Sequence, residues 1–425
     1  MSKIRVVITG MGVVSPIGNE LETFLSALRT GKSGIKFDQQ LADLKFSCQV
    51  SGTPEISEEK KRNYFTELEL RNFNSTGILY GVIAGLDAWK DAGLEPSGSE
   101  KPDWESGTIF GTGTSGIEKF RESIYKIDDL QTRRLGSTAV SQTMNSGISA
   151  YLSGKLGLGN QVTTNSSACT TGTESILMAF ERIKSGKAKR ILAGSTSDSG
   201  PYIWGGFDAI KVCNFKSNDR PELASRPMST SAAGFVPSSG SGAFVVESLE
   251  SAQKRGAKIY CEILGGNVNS GGQRGDGSMT APNSEAVQKC VKDAILDAKI
   301  SANEIDYING HLTATSKDAL EIENLTKALA RKGSDFPFIN STKSLIGHCL
   351  SGSGSVEAVA TILQLKNNFV APNINCEDLN VEIEQLIGRK SIPAEIISTE
   401  IKTAMKVSFG FGDVNACVIF RKYLD

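Results

Sequence analysis

The residue best placed to do chemistry is Cys169, in the run Asn165-Ser166-Ser167-Ala168-Cys169-Thr170-Thr171-Gly172-Thr173, which passes from a β-type segment straight into an amphipathic helix. A thiol at that bend meets unpaired backbone N–H groups and the positive end of a helix. Both favour thiolate and lower its pKa below the free value of about 8.5. The same N–H groups can hold an oxyanion. Read from composition alone, Cys169 is a small buried hydrophobe; the small residues around it leave room for a second backbone or a substrate and argue for a nucleophile. The chain has two histidines. Both follow strand-like segments inside Thr/Ser/Gly-rich text: His311 in Tyr307-Ile308-Asn309-Gly310-His311-Leu312-Thr313-Ala314-Thr315, and His348 in Asn340-Ser341-Thr342-Lys343-Ser344-Leu345-Ile346-Gly347-His348. Strand ends are where α/β sheets bind ligands. Two neutral imidazoles converging on a sulfur suit a reaction in which negative charge develops on a thioester carbonyl, because their N–H groups donate to that charge. Lys343 adds a cation that biases their protonation.

Those residues need a scaffold of strands and helices to bring them together. Short β-branched runs (IRVVITG, GTIFG, RILAGS, GAFVVES, IYCEILGG, YINGH, PFINST, NACVIF) alternate with helical patterns, which reads as α/β with a mostly buried sheet. Apolar residues at three- and four-residue steps predict helices over Ser75–Ala92, Thr173–Lys184, Asn283–Ala298, Asp318–Ala330 and Ser353–Lys366. The charged stretch ESLESAQKRGAK before a new strand pattern sets a boundary near residue 250, giving units 1–250 and 251–425. Each unit carries a strand, a Ser/Thr/Gly-rich bend and a helix in the same order, a layout that suggests duplication. Asp38–Phe65 and Ser217–Ser241 read as loops capping the active face.

Composition excludes several functions. In 425 residues, 46 Lys+Arg against 47 Asp+Glu leave a net charge of -1, so no global basic field attracts nucleic acid or an anionic membrane. Apolar residues make up 39%, enough to close a large core and too many for a disordered chain. No window approaches the roughly 18 consecutive apolar residues of a membrane span, and the opening MSKIRVVITGMGVVSPIG lacks a leader pattern, so the expected location is the cytoplasm. The eight cysteines are scattered without a CxxC pair, which reads as reduced thiols with no metal site. Gly10 and Gly12 lack the third glycine of a dinucleotide fingerprint and read as a tight turn after a strand. The GKS at Gly31 to Ser33 lacks the first glycine of a phosphate loop, and no GxSxG elbow occurs.

The runs SSACTTG, GHLTAT, NSTKSLIGH and VSFGFGDVNA, in that order, resemble the elongating, cysteine-histidine-histidine type of β-ketoacyl-acyl-carrier-protein synthase. The likeness extends to RVVITGMGVVSPIG, ASRP at Ala224 to Pro227 and KRGAKIYCEILG, and so covers essentially the whole chain. It implies a thiolase-type fold, α/β in five layers αβαβα with two similar halves, usually a homodimer. It also implies roles. Cys169 takes an acyl group from carrier-protein phosphopantetheine, and His311 and His348 hold the malonyl thioester oxygen while carbon dioxide leaves. Lys343, with Glu321 as its partner, tunes the site. The backbone N–H groups of Cys169 and Phe411 form the oxyanion hole, with the Phe411 ring as a gate. Thr313 and Thr315 match threonines that contact pantetheine, and Thr114 and Phe207 match acyl-pocket positions. No cofactor is implied beyond the phosphopantetheine of the carrier.

The chain departs from the usual pattern at Leu312 and Ala314, which replace glycines, at Ser229 and Ser239, which replace acidic residues, and at Asp413-Val414, where Gly-Thr is common. Together these imply a divergent branch whose substrate or partner differs from housekeeping fatty-acid elongation, and Thr114, where such enzymes often carry an aliphatic residue, with Phe207, implies a more polar or differently shaped acyl tunnel. An acidic carrier protein calls for a basic patch, for which Lys60, Lys61, Arg62 and Arg71 are candidates beside Glu67 and Glu69. Two other readings stand beside the active condensing enzyme. One is a non-catalytic, chain-length-determining partner in a heterodimer, which Cys169 and both histidines oppose. The other is a coenzyme A-dependent thiolase, for which Cys417 would be the second cysteine.

Overall fold

The computed structural model describes residues 4–424. Ten strands build its main sheet. The first half supplies β1 (Val6–Val14), β2 (Ser106–Thr112), β3 (Val162–Thr163), β4 (Arg190–Ser197) and β5 (Gly240–Ser248). The second supplies β6 (Cys261–Ser270), β7 (Tyr307–Asn309), β8 (Phe338–Asn340), β9 (Thr403–Gly410) and β10 (Val414–Lys422). Side by side they run β3-β2-β4-β5-β1 and then β6-β10-β9-β7-β8. In each half the third, second and fourth strands are parallel, and the fifth is antiparallel to both the fourth and the first. The second half therefore repeats the first strand for strand. The two meet where Val6–Ile8 pairs antiparallel with Cys261–Ile263.

The helices used below are α1 (Thr76–Asp91), α2 (Ile117–Asp128), α3 (Gly147–Leu156), α4 (Thr171–Lys184), α5 (Pro201–Ala209), α6 (Ser284–Ala298), α7 (Asp318–Leu329) and α8 (Ser353–Asn367). Helices α4 and α8 pack on each other and on strands of both halves, α1 and α3 cover the outside of the first half, and α6 with α7 cover the second. The result is the expected five-layer αβαβα arrangement, with one apolar cluster per helix layer. Every residue of α8 from Ser353 to Leu365 is buried, which is why its sequence is mostly apolar or small all round rather than striped, with Glu357 and Gln364 as buried polar exceptions. Among the described residues no helix is long and apolar enough to cross a membrane.

The five helices expected from periodicity form within two residues of their predicted ends. Ser75 and Asn283, at two of those ends, are N-caps whose side chains accept the backbone N–H of Ile78 and Ala286. Strand β9 escaped the pattern because Lys406 interrupts its apolar run. Gly10 and Gly12, read as a turn, lie within β1 instead. A Cβ on either would sit 2.2 Å from the Ala88 carbonyl oxygen or 2.0 Å from that of Ala84, so these glycines let α1 lie directly on the strand. The Asp38–Phe65 region holds two short helical turns, Gln39–Asp43 and Glu58–Arg62, and part of a small strand pair.

The duplication recurs where the helices of the central layer begin. A three-residue 3-10 turn, Ala168–Thr170, feeds α4, and another, Leu350–Gly352, feeds α8. Ala168 and Leu350 both open their turns at φ 50°, a left-handed conformation rare for non-glycine residues. Three residues beyond Cys169 and its counterpart Ser351 stand Gly172 and Gly354, where the two helices cross backbone to backbone. A Cβ on Gly172 would lie 2.3 Å from the Ser355 nitrogen, and one on Gly354 2.6 Å from the Thr173 nitrogen. Gly354→Ala should therefore force the helices apart and destabilise the chain by about 1–3 kcal/mol. Equilibrium urea unfolding of the two proteins measures this, and an unchanged midpoint would contradict the close crossing.

Candidate active site

Cys169 stands at the start of α4, buried, on a turn that puts its sulfur within reach of its own backbone N–H and that of Phe411. Gly410 makes this approach possible: a Cβ there would lie 3.1 Å from the Cys169 nitrogen and 3.2 Å from the Ser167 carbonyl oxygen. His311 follows β7, and His348 follows the turn Lys343–Ile346. The Cys169 sulfur and a ring nitrogen of each histidine lie within 4.8 Å of one another, and the two imidazole rings stand edge to face with centroids 5.4 Å apart. The structure thus brings together the three groups that the sequence singled out.

The hydrogen bonds fix both tautomers. The Leu350 backbone N–H donates to His348 Nδ1 at 3.0 Å. The Lys343 ammonium, which donates to the His311 carbonyl oxygen at 2.6 Å, faces His311 Nδ1 at 3.4 Å. Each Nδ1 is therefore an acceptor, and the proton of each neutral ring sits on Nε2, which has no partner among the described residues. Both histidines are held well below the ordinary 6.5, first by burial and then by the Lys343 cation. Two neutral N–H donors converge as expected. Their spacing would admit a soft cation, but the Nδ1 lone pairs are engaged and Nε2 carries a proton, so the rings offer it no free ligand atom.

The thiol departs from expectation. Burial pushes Cys169 up to about 11, outweighing the Lys343 cation and the two backbone N–H groups that favour thiolate. The helix end and its N–H groups do stabilise thiolate, but the loss of water around the sulfur costs more.

Glu321, expected as the partner of Lys343, plays a different part. Lys343 Nζ pairs with Glu357 Oε1 at 2.5 Å, from α8. Glu321 instead accepts the backbone N–H groups of His311 at 2.7 Å and Leu312 at 2.8 Å. One turn earlier on α7, Asp318 accepts those of Thr313 at 2.9 Å and Ala314 at 3.1 Å. Burial raises both carboxyls, Glu321 to about 7 and Asp318 to about 6. This clasp explains the loss of two glycines: Leu312 at φ 20° and Ala314 at φ 62° still hold the left-handed backbone that glycine would take. Asp413, another departure, accepts the N–H groups of Gln273 at 2.9 Å and Asn283 at 2.7 Å, tying the Phe411 turn to the 271–283 loop. The Ser229 hydroxyl donates to Asp378.

Two cavities meet at the sulfur. One, of about 240 Å³, is lined by Cys169, both histidines, Thr313, Thr315 and Phe411. The other, of about 280 Å³, is lined by Cys169 and Phe411 again, with Thr114, Phe207, Tyr202 and Ser351. Phe411 therefore stands in the wall between them, its ring 5.8 Å from that of Phe207. The Ser217–Ser241 segment caps His348 as expected, since Val236 and Ser238 bond its backbone. Lys60, Lys61, Arg62 and Arg71 border neither cavity, and Lys60 and Lys61 are paired with Glu20 and Glu58. The cation at the mouth of the first cavity is the exposed Lys317. Sequence reasoning missed Glu357 and Lys406, whose signal was a single charge inside an otherwise apolar run.

The chain matches two family models, the N-terminal domain of β-ketoacyl synthase over residues 3–252 and the C-terminal domain over residues 260–377. It is 34% identical to 3-oxoacyl-[acyl-carrier-protein] synthase 2 of Vibrio harveyi, covering 99% of both chains. It is 35% identical to 3-oxoacyl-[acyl-carrier-protein] synthase 1 of Escherichia coli (strain K12), covering 99% of this chain and all of that one. Among solved structures it resembles a β-ketoacyl synthase from Burkholderia phymatum STM815, with TM-score 0.88, 28% identity and coverage of 99% and 100%. A second similar structure is a type II polyketide ketosynthase in complex with its acyl-carrier protein, with TM-score 0.86, 26% identity and full coverage of both chains.

A thiol held near 11 is almost wholly protonated at neutral pH. The rate at which iodoacetamide alkylates Cys169, followed by peptide mass spectrometry, should therefore climb about tenfold per pH unit from pH 7 to 9 with no plateau. A plateau in that range would mean that the N–H groups and Lys343 outweigh burial after all.

Proposed function

The chain belongs to the β-ketoacyl synthase family, and we infer from its site how it carries out the acyl-transferring condensation of that family. The observation that carries the reading is the meeting of one sulfur and two imidazoles where two cavities join. An acyl chain arrives as a thioester on the phosphopantetheine of an acyl carrier protein. The Cys169 sulfur attacks its carbonyl, the carbon–sulfur bond to pantetheine breaks, and the Cys169 proton leaves on the departing pantetheine sulfur. The N–H groups of Cys169 and Phe411 hold the oxyanion between these events. The acyl chain then lies in the cavity of Thr114 and Phe207.

A malonyl thioester next enters along Thr313 and Thr315, its carbonyl oxygen against the two Nε2–H donors. Its carbon–carbon bond to the carboxylate breaks, carbon dioxide leaves, and the electron pair moves into the enolate that His311 and His348 stabilise. The enolate carbon attacks the acyl carbonyl on Cys169 and expels the sulfur, which takes up one proton. The product on the carrier is a β-ketoacyl chain two carbons longer. Burial, reinforced by Lys343, keeps both rings neutral, and Glu321 positions His311 through its main chain.

Three finer readings accompany this. The Thr114 and Tyr202 hydroxyls in the wall of an otherwise mostly apolar acyl cavity suit an unsaturated chain or one bearing a polar group over a plain saturated one. A second copy of the chain, or a synthase-like partner, covers the outer face of α2, where Phe120, Ile124 and Tyr125 are exposed. The reaction belongs in the cytoplasm, where a carrier protein would supply both substrates. A thiolase reading loses support, since Cys417 is buried in β10 and borders neither cavity.

Incubation with acyl carrier thioesters should add one acyl mass to the protein and none to Cys169→Ala. Malonyl carrier protein should then release a product two carbons longer. His311→Ala and His348→Ala should still acylate but lose at least a hundredfold in condensation. A wild-type protein that takes no acyl group from any donor would favour the non-catalytic partner. Across a panel of saturated and unsaturated acyl carriers, equal rates would contradict the polar tunnel.

A further inference from the structure

Lys406 lies in β9, fully buried, four residues before the Gly410–Phe411 turn that closes on Cys169. Its ammonium is 2.8 Å from Glu357 Oε2, while Lys343 holds Glu357 Oε1 at 2.5 Å. One carboxylate on α8 thus serves two cations. Lys406 also donates to the Val407 carbonyl and lies 3.0 Å from the Ser408 hydroxyl, which contacts Thr173 of α4 at 2.9 Å. None of its contacts reaches a cavity, so it touches neither sulfur nor substrate. A buried cation is costly unless its charge is used or matched, and here the nearest carboxylate is already shared.

We propose that Lys406 is a positioning residue that holds Glu357 away from full possession of Lys343, freeing the Lys343 ammonium to face the His311 carbonyl and Nδ1 and thereby keeping both imidazoles as neutral Nε2–H donors. The proposal rests on the reading of His311 and His348 as donors to the malonyl thioester. Burial pulls the Lys406 pKa down and Glu357 holds it up; the two cations against Glu357 leave a positive excess behind the rings, and burial with that positive field opposes a further proton on either ring. The other titratable groups facing the pair are Glu321 and Asp318 from α7 and Cys169 from the head of α4. Since Glu321 also interacts with Lys406, an activity profile by itself would mix its titration with that of the histidines.

The chain has two histidines, so their ring signals can be followed directly in the full-length protein by long-range ¹H–¹⁵N correlation across a pH series. In the unmutated protein both rings should remain Nε2–H tautomers to below pH 6.5; a ring that titrates above that value overturns the proposal without any variant. In Lys406→Met the midpoint of at least one ring should rise by about one pH unit, and the acid limb of malonyl-carrier decarboxylation should rise with it. The sign follows because the neutral ring is the active form, so a higher ring pKa moves the loss of activity to higher pH. Lys406→Arg, which keeps the charge, should restore the original midpoint. If Lys406→Met does not fold, Lys406→Gln, which retains a hydrogen-bond donor to Glu357, makes the same comparison. Unshifted rings in a folded neutral variant would reduce Lys406 to a packing group. A wild-type protein whose rings behave as described but which never decarboxylates malonyl carrier would instead overturn the reading of the site.

Discussion

One carboxylate between two ammonium groups, Glu357 with Lys343 and Lys406, lies where water does not reach. Burying any one of these charges alone would cost several kcal/mol after relaxation. Their burial is tolerable because α8, the turn before His348 and strand β9 bring opposite charges within hydrogen-bonding distance. That requirement fixes three elements of the second half relative to one another, and two of them lead directly into the site. Lys343 touches His311, and β9 runs on to Gly410 and Phe411. The other part of the frame is the glycine crossing of α4 and α8, which sets Cys169 of the first half against the second. Charge pairing positions the histidines and the Phe411 turn; backbone contact positions Cys169.

The same burial explains the resting protonation of all three reactive groups. Removing water disfavours whichever form is charged, so it raises the thiol and lowers both imidazoles. The site at rest therefore presents a thiol and two neutral donors, with the formal charges behind them. Such a site is poor at holding a charge in advance and good at accepting one that develops on a substrate. N–H groups already oriented in a low-dielectric cavity act on an oxyanion far more strongly than water-facing ones, and they need no reorganisation when it forms.

The fold was legible where the sequence has period and punctuation. Helix ends at Ser75 and Asn283 were marked by their capping side chains, and the bends before Cys169 and His348 by small and hydroxyl residues. The chemistry was legible because the chain contains two histidines, both in Ser/Thr/Gly-rich text that follows a strand. Other features depended on tertiary closure. Nothing local to residues 165–173 tells how dry the sulfur will be, so the thiolate expectation failed. Glu321 was expected as the partner of Lys343 from the resemblance alone, and the packing of α8 against β9 puts Glu357 there instead. Strand β9 was hidden by Lys406, a charge that breaks the apolar pattern and becomes intelligible once Glu357 lies opposite it.

The loop after His311 shows how a divergent sequence can keep a demanding geometry. Holding a non-glycine residue in the left-handed region costs roughly 1–2 kcal/mol, and this loop does so at Leu312 and Ala314. Against that cost stand four backbone N–H groups, from His311 to Ala314, donated to the carboxylates of Glu321 and Asp318. Those hydrogen bonds offset the strain and part of the cost of burying the two carboxyls, which burial still leaves raised. In exchange Leu312 places its side chain in the apolar layer beside Ile308 and Ile322, where glycine would bury nothing. The loop conformation is thus set by the first turn of α7 rather than by the flexibility of its own residues, and His311 is held by its main chain while its ring remains free to donate.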